Sequence, residues 1–243
     1  MDNLKTNFGK RKVTKKEKTS LVQEVFSNVA KNYDVMNDLM SFGSHRLWKS
    51  ELVDYMNIQK FDHIVDVGSG TGDLLDLILK KNLFTNIYSI DLNNEMLNYS
   101  RKRFIKKKIK FINADAEELP FNNNYFDKYI ISFCLRNVTD INKALKEAYR
   151  VIKPGGIFYC LEFSTPESDI IDTIYKNYKK KIIPWIGEKV TKNRKAYDYL
   201  EQSIDLFPKQ KKFLSSLKKI GFDQTKYINM FNGIVSIHTG YKI

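Results

Sequence analysis

Four polar residues, Thr71, Asp91, Asp115 and Ser132, fall in turn at or near the ends of four apolar runs of this chain. The first run leads into "IVDVGSGTGDLLDLI" (Ile64–Ile78), where glycines at 68, 70 and 72 precede an acid and a leucine-rich stretch. Gly68 and Gly70 let the backbone approach a ligand. The dinucleotide fingerprint G-x-G-x-x-G requires a third glycine where Asp73 stands, so the turn suits a small charged group rather than a pyrophosphate. Asp91, about twenty residues beyond the turn, is suited to two ribose hydroxyls because a carboxylate accepts from both. Asp115 can accept from an exocyclic amine, with the Ala116 backbone beside it reading a ring edge. Singly, each is an ordinary cap or turn residue; order and spacing together describe a crevice for a nucleoside with an amino-acid tail. Asp66 lies inside an apolar run and needs partners. The plainer expectation is that it bonds the backbone amides of the glycine turn.

Such a crevice needs parallel strands whose carboxyl ends lie side by side. Strands are expected at His63–Val67, Asn86–Asp91, Ile109–Asp115, Phe126–Cys134 and Ile157–Phe163. Helical patterns lie between them near Asp73–Lys81, Asn94–Phe104 and Asp140–Ile152, the last stopped by "KPGG" (Lys153–Gly156). This alternation implies right-handed βαβ units. Leu21, Val25 and Val29 recur at helical spacing, and a second N-terminal helix is expected from His45 to Met56. A lysine-rich helical stretch, Ser168–Leu200, is interrupted at Pro184, and a helix at Lys209–Ile220 precedes a hairpin turning at Asn232–Gly233. The expectation is an open, mostly parallel α/β sheet closed by a C-terminal antiparallel hairpin, with ligands at the strand ends. S-adenosylmethionine is the nucleoside that fits this crevice.

The bulk numbers suit one domain of 243 residues. Residues 1–19 read as a basic, flexible, solvated arm and 20–243 as the domain, with N-terminal helices at 20–58 and a helical insertion at 168–206. The arm lacks the apolar core of a secretory signal, and Asp2, Glu17 and scarce serine fit a transit peptide poorly. No apolar run approaches the ~18 residues of a membrane span. Cys134 and Cys160 sit in apolar runs and read as buried thiols of a reducing compartment. His45, His63 and His238 have no metal-ligand spacing, so no metal is expected. The net charge of +13 favours polyanions or an anionic membrane face, although lysine-rich, Asn- and Ile-rich composition also follows from an AT-rich genome.

The chain resembles class I S-adenosylmethionine-dependent methyltransferases, and within them the ubiquinone/menaquinone biosynthesis C-methyltransferases. The resemblance rests on "YDVMNDLMSFGSHRLWK" (Tyr33–Lys49), "ADAEELPF" (Ala114–Phe121), "ISFCLRNVTD" (Ile131–Asp140), "RVIKPGG" (Arg150–Gly156), "LEFSTP" (Leu161–Pro166) and "GIVSIHTGYK" (Gly233–Lys242). It covers about Val25 to the C-terminus. It implies a Rossmann-like fold and cofactor contacts from Gly68, Gly70, Thr71, Asp91, Asp115, Ala116 and Ser132. Cys134 stands where the family often has glycine, and Asp115 where an amide is common; a carboxylate there cannot donate.

The implied reaction is methylation of a ring carbon on a polyprenylated quinol. Ionising the neighbouring hydroxyl pushes charge onto that carbon, which must be held about 3 Å from the methyl. Arg136 and Asn137 follow the fourth strand and are the expected catalytic residues, Arg136 stabilising the phenolate. Tyr33, Asp34 and His45 are candidates for its deprotonation. The plainer reading of Arg136 is a surface helix-start residue pairing with Asp140, and of "YDVMNDLM" an amphipathic helix packed on the sheet. Met36, Met40, Phe42 and "IIPWIGEKV" (Ile182–Val190) would line a groove for the prenyl tail. The expected setting is the cytoplasmic side of the inner membrane (the mitochondrial matrix in a eukaryote), with peripheral contact to anionic lipid. A homodimer and other quinone-biosynthesis proteins are the further partners expected, and nucleic acid is not. Two alternatives stay open. An RNA methyltransferase would use the charge, but the Asn/Asp-Pro-Pro-aromatic loop and a Pro-Cys nucleophile are both lacking. A non-catalytic scaffold would not need Thr71, Asp91 and Ser132.

Overall fold

The computed structural model describes residues 5–30, 33–81, 84–182, 185 and 194–243. Its centre is a seven-stranded sheet built of β3 (His63–Val67), β4 (Asn86–Asp91), β5 (Ile109–Asn113), β6 (Phe126–Ser132), β7 (Ile152–Phe163), β8 (Asp223–Met230) and β9 (Val235–Tyr241). The order is β5-β4-β3-β6-β7-β9-β8. The first five strands in that order pair in parallel, and β9 runs antiparallel to both β7 and β8. The strand order reverses at β3, which pairs with both β4 and β6, so a crevice opens at their carboxyl ends.

Residues of the central strands alternate between two cores, as the period of two requires. Val65, Val67, Tyr129, Ile131, Phe158 and Cys160 face one side. There they meet α6 (Ile141–Val151) and α9 (Gln210–Ile220) through Leu145, Ala148, Phe213 and Leu217. Ile64, Ile130, Tyr159 and Leu161 face the other side. Their partners are Leu52 and Val53 of α3 (Ser44–Tyr55) and Leu75 and Ile78 of α4 (Asp73–Lys81). The helix α5 (Asn94–Arg103) starts where the Asn93 side chain accepts from the Glu95 and Met96 amides.

Two expectations need correction. From residue 5 on, the supposed solvated arm is structured: β1 (Lys5–Phe8) and β2 (Arg11–Thr14) form an antiparallel hairpin, and α1 (Lys15–Val29) starts at Lys15 with Thr14 as its cap. The hairpin is held by distant parts of the chain, which its local pattern does not reveal. Phe8 stacks on Tyr199 with ring centroids 4.3 Å apart, the Lys10 amide donates to Gln202 Oε1, and Thr6 Oγ1 donates to the Thr139 carbonyl. Second, "KPGG" lies inside β7 and does not itself end α6. Ile152 already pairs with Phe126, and Lys153 Nζ reaches Asp127 at 2.8 Å, so the strand begins early and irregularly.

Two further helices, α2 (Tyr33–Ser41) and α3, follow α1 where the sequence suggests one helix, a break and another. The insertion after β7 contains α7 (Asp169–Asn177), a π turn at Tyr178–Ile182 and α8 (Arg194–Leu206). Most of the expected tail groove, "IIPWIGEKV", lies outside the described residues, as do the side chains of Met36 and Met40.

Candidate active site

The turn after β3 is bound to the strand beside it. The amides of Gly68 and Ser69 donate to the Ile90 carbonyl at 2.8 and 3.0 Å, and the Gly70 amide donates to Asp91 Oδ2 at 2.8 Å. Gly68 has φ +68, and a Cβ there would lie 2.2 Å from Cys134 Sγ. Cys134 therefore packs into the space that Gly68 leaves open, and burial pushes its thiol far above the ordinary range. At Gly70, with φ +56, an added Cβ would meet among the described residues only the Tyr33 ring, at 3.8 Å. Its backbone is thus bare toward the crevice.

A cavity at this place is walled by Gly70, Asp91, Asp115, Ala116 and Ser132, with Phe26 and Tyr33 across from them. Asp91 is aimed by two amides, Gly70 on Oδ2 and Asn93 on Oδ1 at 2.8 Å, and each oxygen keeps a lone pair for a ligand. Burial raises its carboxyl above the usual range, and the two amides oppose that. Asp115 accepts from the Glu117 amide at 2.8 Å through Oδ1. Ser132 Oγ is buried without a hydrogen-bond partner among the described residues.

Thr71 stands one step away. It donates to Asp34 Oδ1 at 2.9 Å and lines a smaller cleft that shares Gly68, Gly70 and Ser132 with the main cavity. Asp66 lines that cleft too, and it does not tie down the glycine turn as expected. Both its carboxylate oxygens are buried with no hydrogen-bond partner among the described residues. Alternation along β3 turns Asp66 to the face of Ile64, away from the amides that the turn donates to β4. Burial and the nearby Asp91 charge push its carboxyl up to about 7, against the pull of Lys49.

A second cavity adjoins the first and shares Phe26, Tyr33, Phe133 and Asn137 with it. Its other walls come from α3 (His45, Lys49), α8 (Tyr197, Tyr199, Leu200) and the turn after β6 (Arg136). Arg136 is not a surface residue and does not pair with Asp140, whose partner is Lys15 at 2.9 Å. The 3-10 turn at Leu135–Asn137 directs Arg136 inward, where Nη1 donates to Glu162 Oε1 and to the Phe133 carbonyl, at 2.7 and 2.6 Å. Its side chain is 6% exposed and that of Glu162 0%. The Arg136 Nε is buried with no partner among the described residues. Asn137 accepts from the Tyr199 hydroxyl at 3.1 Å. Burial pushes the Tyr33 phenol up to about 12, so at neutral pH it is a donor and no base.

The ubiE/COQ5 methyltransferase family profile matches residues 11–242, nearly the whole of this crevice-bearing chain. The chain belongs to that family. It is an S-adenosylmethionine-dependent methyltransferase, which decides for the enzyme among the readings that the sequence leaves open. Relatives named "Ubiquinone/menaquinone biosynthesis C-methyltransferase UbiE" include those of Rickettsia bellii, 50% identical over 98% of this chain and 99% of that protein, and of Rickettsia prowazekii, also 50% identical over 98% and 99%. Among solved structures, a SAM-dependent methyltransferase from Thermotoga maritima matches with TM-score 0.66 at 20% identity, over 91% of this chain and 100% of that one. Human N-acetylserotonin methyltransferase, in complex with SAM, matches with TM-score 0.61 at 17% identity, over 86% of this chain and 55% of that one. The last two matches concern the fold alone.

The structure gathers Gly68, Gly70, Asp91, Asp115, Ala116 and Ser132 around one cavity, with Thr71 in the cleft beside it, and adds groups that the sequence does not single out. Glu162 lies in "LEFSTP", the one signal pointing to it. Lys49 lies in "YDVMNDLMSFGSHRLWK", the segment in which His45 is already a candidate for the deprotonation. Phe26, Tyr197 and Tyr199 carry no signal beyond being aromatic residues in helices.

Proposed function

We propose that the first cavity binds S-adenosylmethionine and that the second receives the ring of a quinol, the two meeting at Tyr33, Phe133 and Asn137. The activity is ring C-methylation in ubiquinone and menaquinone biosynthesis, the reaction for which the relatives are named. The observation that carries the site assignment is the set of buried, unpartnered groups around a bare glycine turn. Asp66 and Ser132 lack hydrogen bonds among the described residues, beside Gly70 and the doubly anchored Asp91. A buried carboxylate without partners is costly, and an ammonium group from the cofactor's amino-acid tail would satisfy Asp66. Asp91 would take the ribose hydroxyls, and Asp115 with the Ala116 backbone the adenine edge. Thr71, through Asp34, would keep α2 close over the tail.

Bound S-adenosylmethionine supplies an electrophilic sulfonium methyl. The protein's task is to hold the ring carbon in line with it, exclude water and favour the phenolate. Phe26, Phe133 and Phe163 offer apolar walls to a ring. Arg136, fixed by Glu162, carries the charge that favours an ionised hydroxyl, and its unpartnered Nε is a donor toward it. Asn137 and Tyr33 supply neutral hydrogen bonds at the boundary of the two cavities.

For a prenylated substrate we infer peripheral contact with an anionic membrane. No helix among the described residues is long and apolar enough to cross a membrane. Ile170, Ile174 and Tyr178 recur at i, i+4 and i+8, the two isoleucines are exposed, and exposed Phe42 lies 5.7 Å from the Tyr178 ring. Ser41, next to Phe42, and His45, three residues beyond it, line the second cavity, so this apolar stripe adjoins the proposed ring site.

Calorimetry tests the cofactor assignment: Asp91→Ala is expected to abolish measurable S-adenosylmethionine binding while the fold is kept. Unchanged affinity would remove Asp91 from the site.

A further inference from the structure

The second cavity has in its wall a histidine with one ring nitrogen held by a carboxylate and the other without a partner among the described residues. His45 lies in the first turn of α3 and is 4% exposed. Its Nε2 is 2.8 Å from Asp38 Oδ1. Asp38 is itself gripped by the Arg46 fork, Nε to Oδ1 at 2.8 Å and Nη2 to Oδ2 at 2.7 Å. Arg46 holds the Asp38 carboxyl down to about 2, so at neutral pH it is ionised and can only accept. The proton of a neutral imidazole must therefore sit on Nε2, leaving a lone pair on Nδ1. That Nδ1 is buried and has no partner among the described residues.

We propose that His45 takes the proton from the quinol hydroxyl next to the carbon that is methylated. This rests on the second cavity being the ring site. The hydroxyl proton moves to Nδ1, and the resulting imidazolium is stabilised through Nε2–H by ionised Asp38. The oxygen's electron pair is pushed through the ring to the carbon. The new carbon–carbon bond takes its pair from the ring, and the pair of the broken carbon–sulfur bond stays on sulfur. The hydrogen on the methylated carbon then leaves to water as a proton. Nδ1 returns its proton to the ring oxygen, so each turnover releases one proton and leaves His45 neutral.

The surroundings keep the imidazole neutral until it is used. Burial lowers its proton affinity below the ordinary 6.5, and Lys49, one turn along α3, lowers it further; Asp38 and Asp73 oppose them. Lys49 is itself drawn to Asp73 of α4 at 2.7 Å. Around the same cavity stand Tyr33 on α2, Arg136 on the turn after β6, and Tyr197 and Tyr199 on α8. The start of a helix also disfavours a cation.

The test compares His45→Gln and Asp38→Asn with a cavity-filling control, Leu200→Trp, using a short-tailed quinol. In His45→Gln, S-adenosylmethionine affinity and quinol KM are expected to stay within a few-fold, with kcat down about 10²–10⁴-fold, the range of general base catalysis. The wild-type kcat is expected to fall as the medium is acidified below pH 6.5, and His45→Gln to lose that limb. In wild-type protein without any ligand, imidazole nitrogen NMR is expected to find Nε2 protonated, a bias that Asp38→Asn relaxes. Retention of the acid limb in His45→Gln, or a proton on Nδ1 in the wild type, would overturn the role of His45. If Leu200→Trp leaves quinol turnover intact, the ring is not in this cavity and both readings fall. If Leu200→Trp blocks turnover while His45→Gln preserves it, only the base assignment falls.

Discussion

The buried pair of Arg136 and Glu162 makes a demanding prediction, because the same arginine is asked to hold the fold and to favour the phenolate. Glu162→Leu removes the acceptor of the 2.7 Å contact and leaves a guanidinium whose side chain is 6% exposed. Opposite unit charges about 4 Å apart attract by roughly 4 kcal/mol at an effective dielectric constant of ~20. Breaking one partner of such a buried pair costs about 3–5 kcal/mol. For a chain of this size each kcal/mol shifts Tm by about 2–4 °C, so the drop should be roughly 6–20 °C. Arg136→Leu with Glu162→Leu should recover much of that loss, since no unpaired charge is left inside. Urea unfolding followed by circular dichroism measures both, provided the slope m is unchanged. A loss under about 1 kcal/mol for Glu162→Leu, the value of an exposed pair, would refute the reasoning. So would a double variant no more stable than the single one. Glu162→Gln keeps an acceptor and should lose less stability than Glu162→Leu, yet still lower turnover by loosening the hold on Arg136.

His238 in β9 lies buried between the rings of Phe213 and Tyr227, and burial pushes its imidazole down to about 4. The unfolded chain binds its proton near 6.5, so the stability that neutral His238 permits is complete above that pH and is lost as pH falls toward 4. The loss should reach about 3 kcal/mol, and a His238→Phe variant that folds should show a correspondingly flatter pH dependence of unfolding. Vesicle sedimentation checks the apolar stripe: Ile174→Ser is expected to weaken binding to anionic vesicles at least tenfold, because burying such a side chain contributes about 1.5–3 kcal/mol. Equal binding by variant and wild type would remove the stripe from the membrane face. Self-association without vesicles that Ile174→Ser abolishes would point to a second copy there instead.

The strand ends that wall the first cavity are legible in the sequence because local patterns encode them. Ile64, Val65 and Val67 around the glycine turn, with Asp91 and Ser132 ending later apolar runs, mark strands whose ends must meet in a parallel sheet. The crevice follows from that. The groups that complete the site depend on long-range packing that no local period records. Arg136 finds Glu162 twenty-six positions on, inside a strand whose other residues are mostly apolar. Asp140 is nearer in sequence and looks the better partner, but Lys15 has taken it. A buried carboxylate ought to be satisfied, which is why Asp66 is expected to bond the turn, yet neither of its oxygens has a partner among the described residues. The basic composition of residues 5–14 suggests solvent, while Phe8 and Val13, the two apolar residues best placed to dock, decide the outcome.

The hairpin of β1 and β2 has a consequence for how the protein is made. Its anchors, Thr139, Tyr199 and Gln202, leave the ribosome long after it does. The strands from His63 to Phe163 can pair while synthesis continues, but the first residues must wait for α8 before they can settle. Closing this clasp therefore cannot precede the synthesis of α8, and neither can the hydrogen bond of Tyr199 to Asn137. Clipping the first fourteen residues, or fusing a bulky tag ahead of them, should leave the nucleoside side intact and loosen the acceptor side.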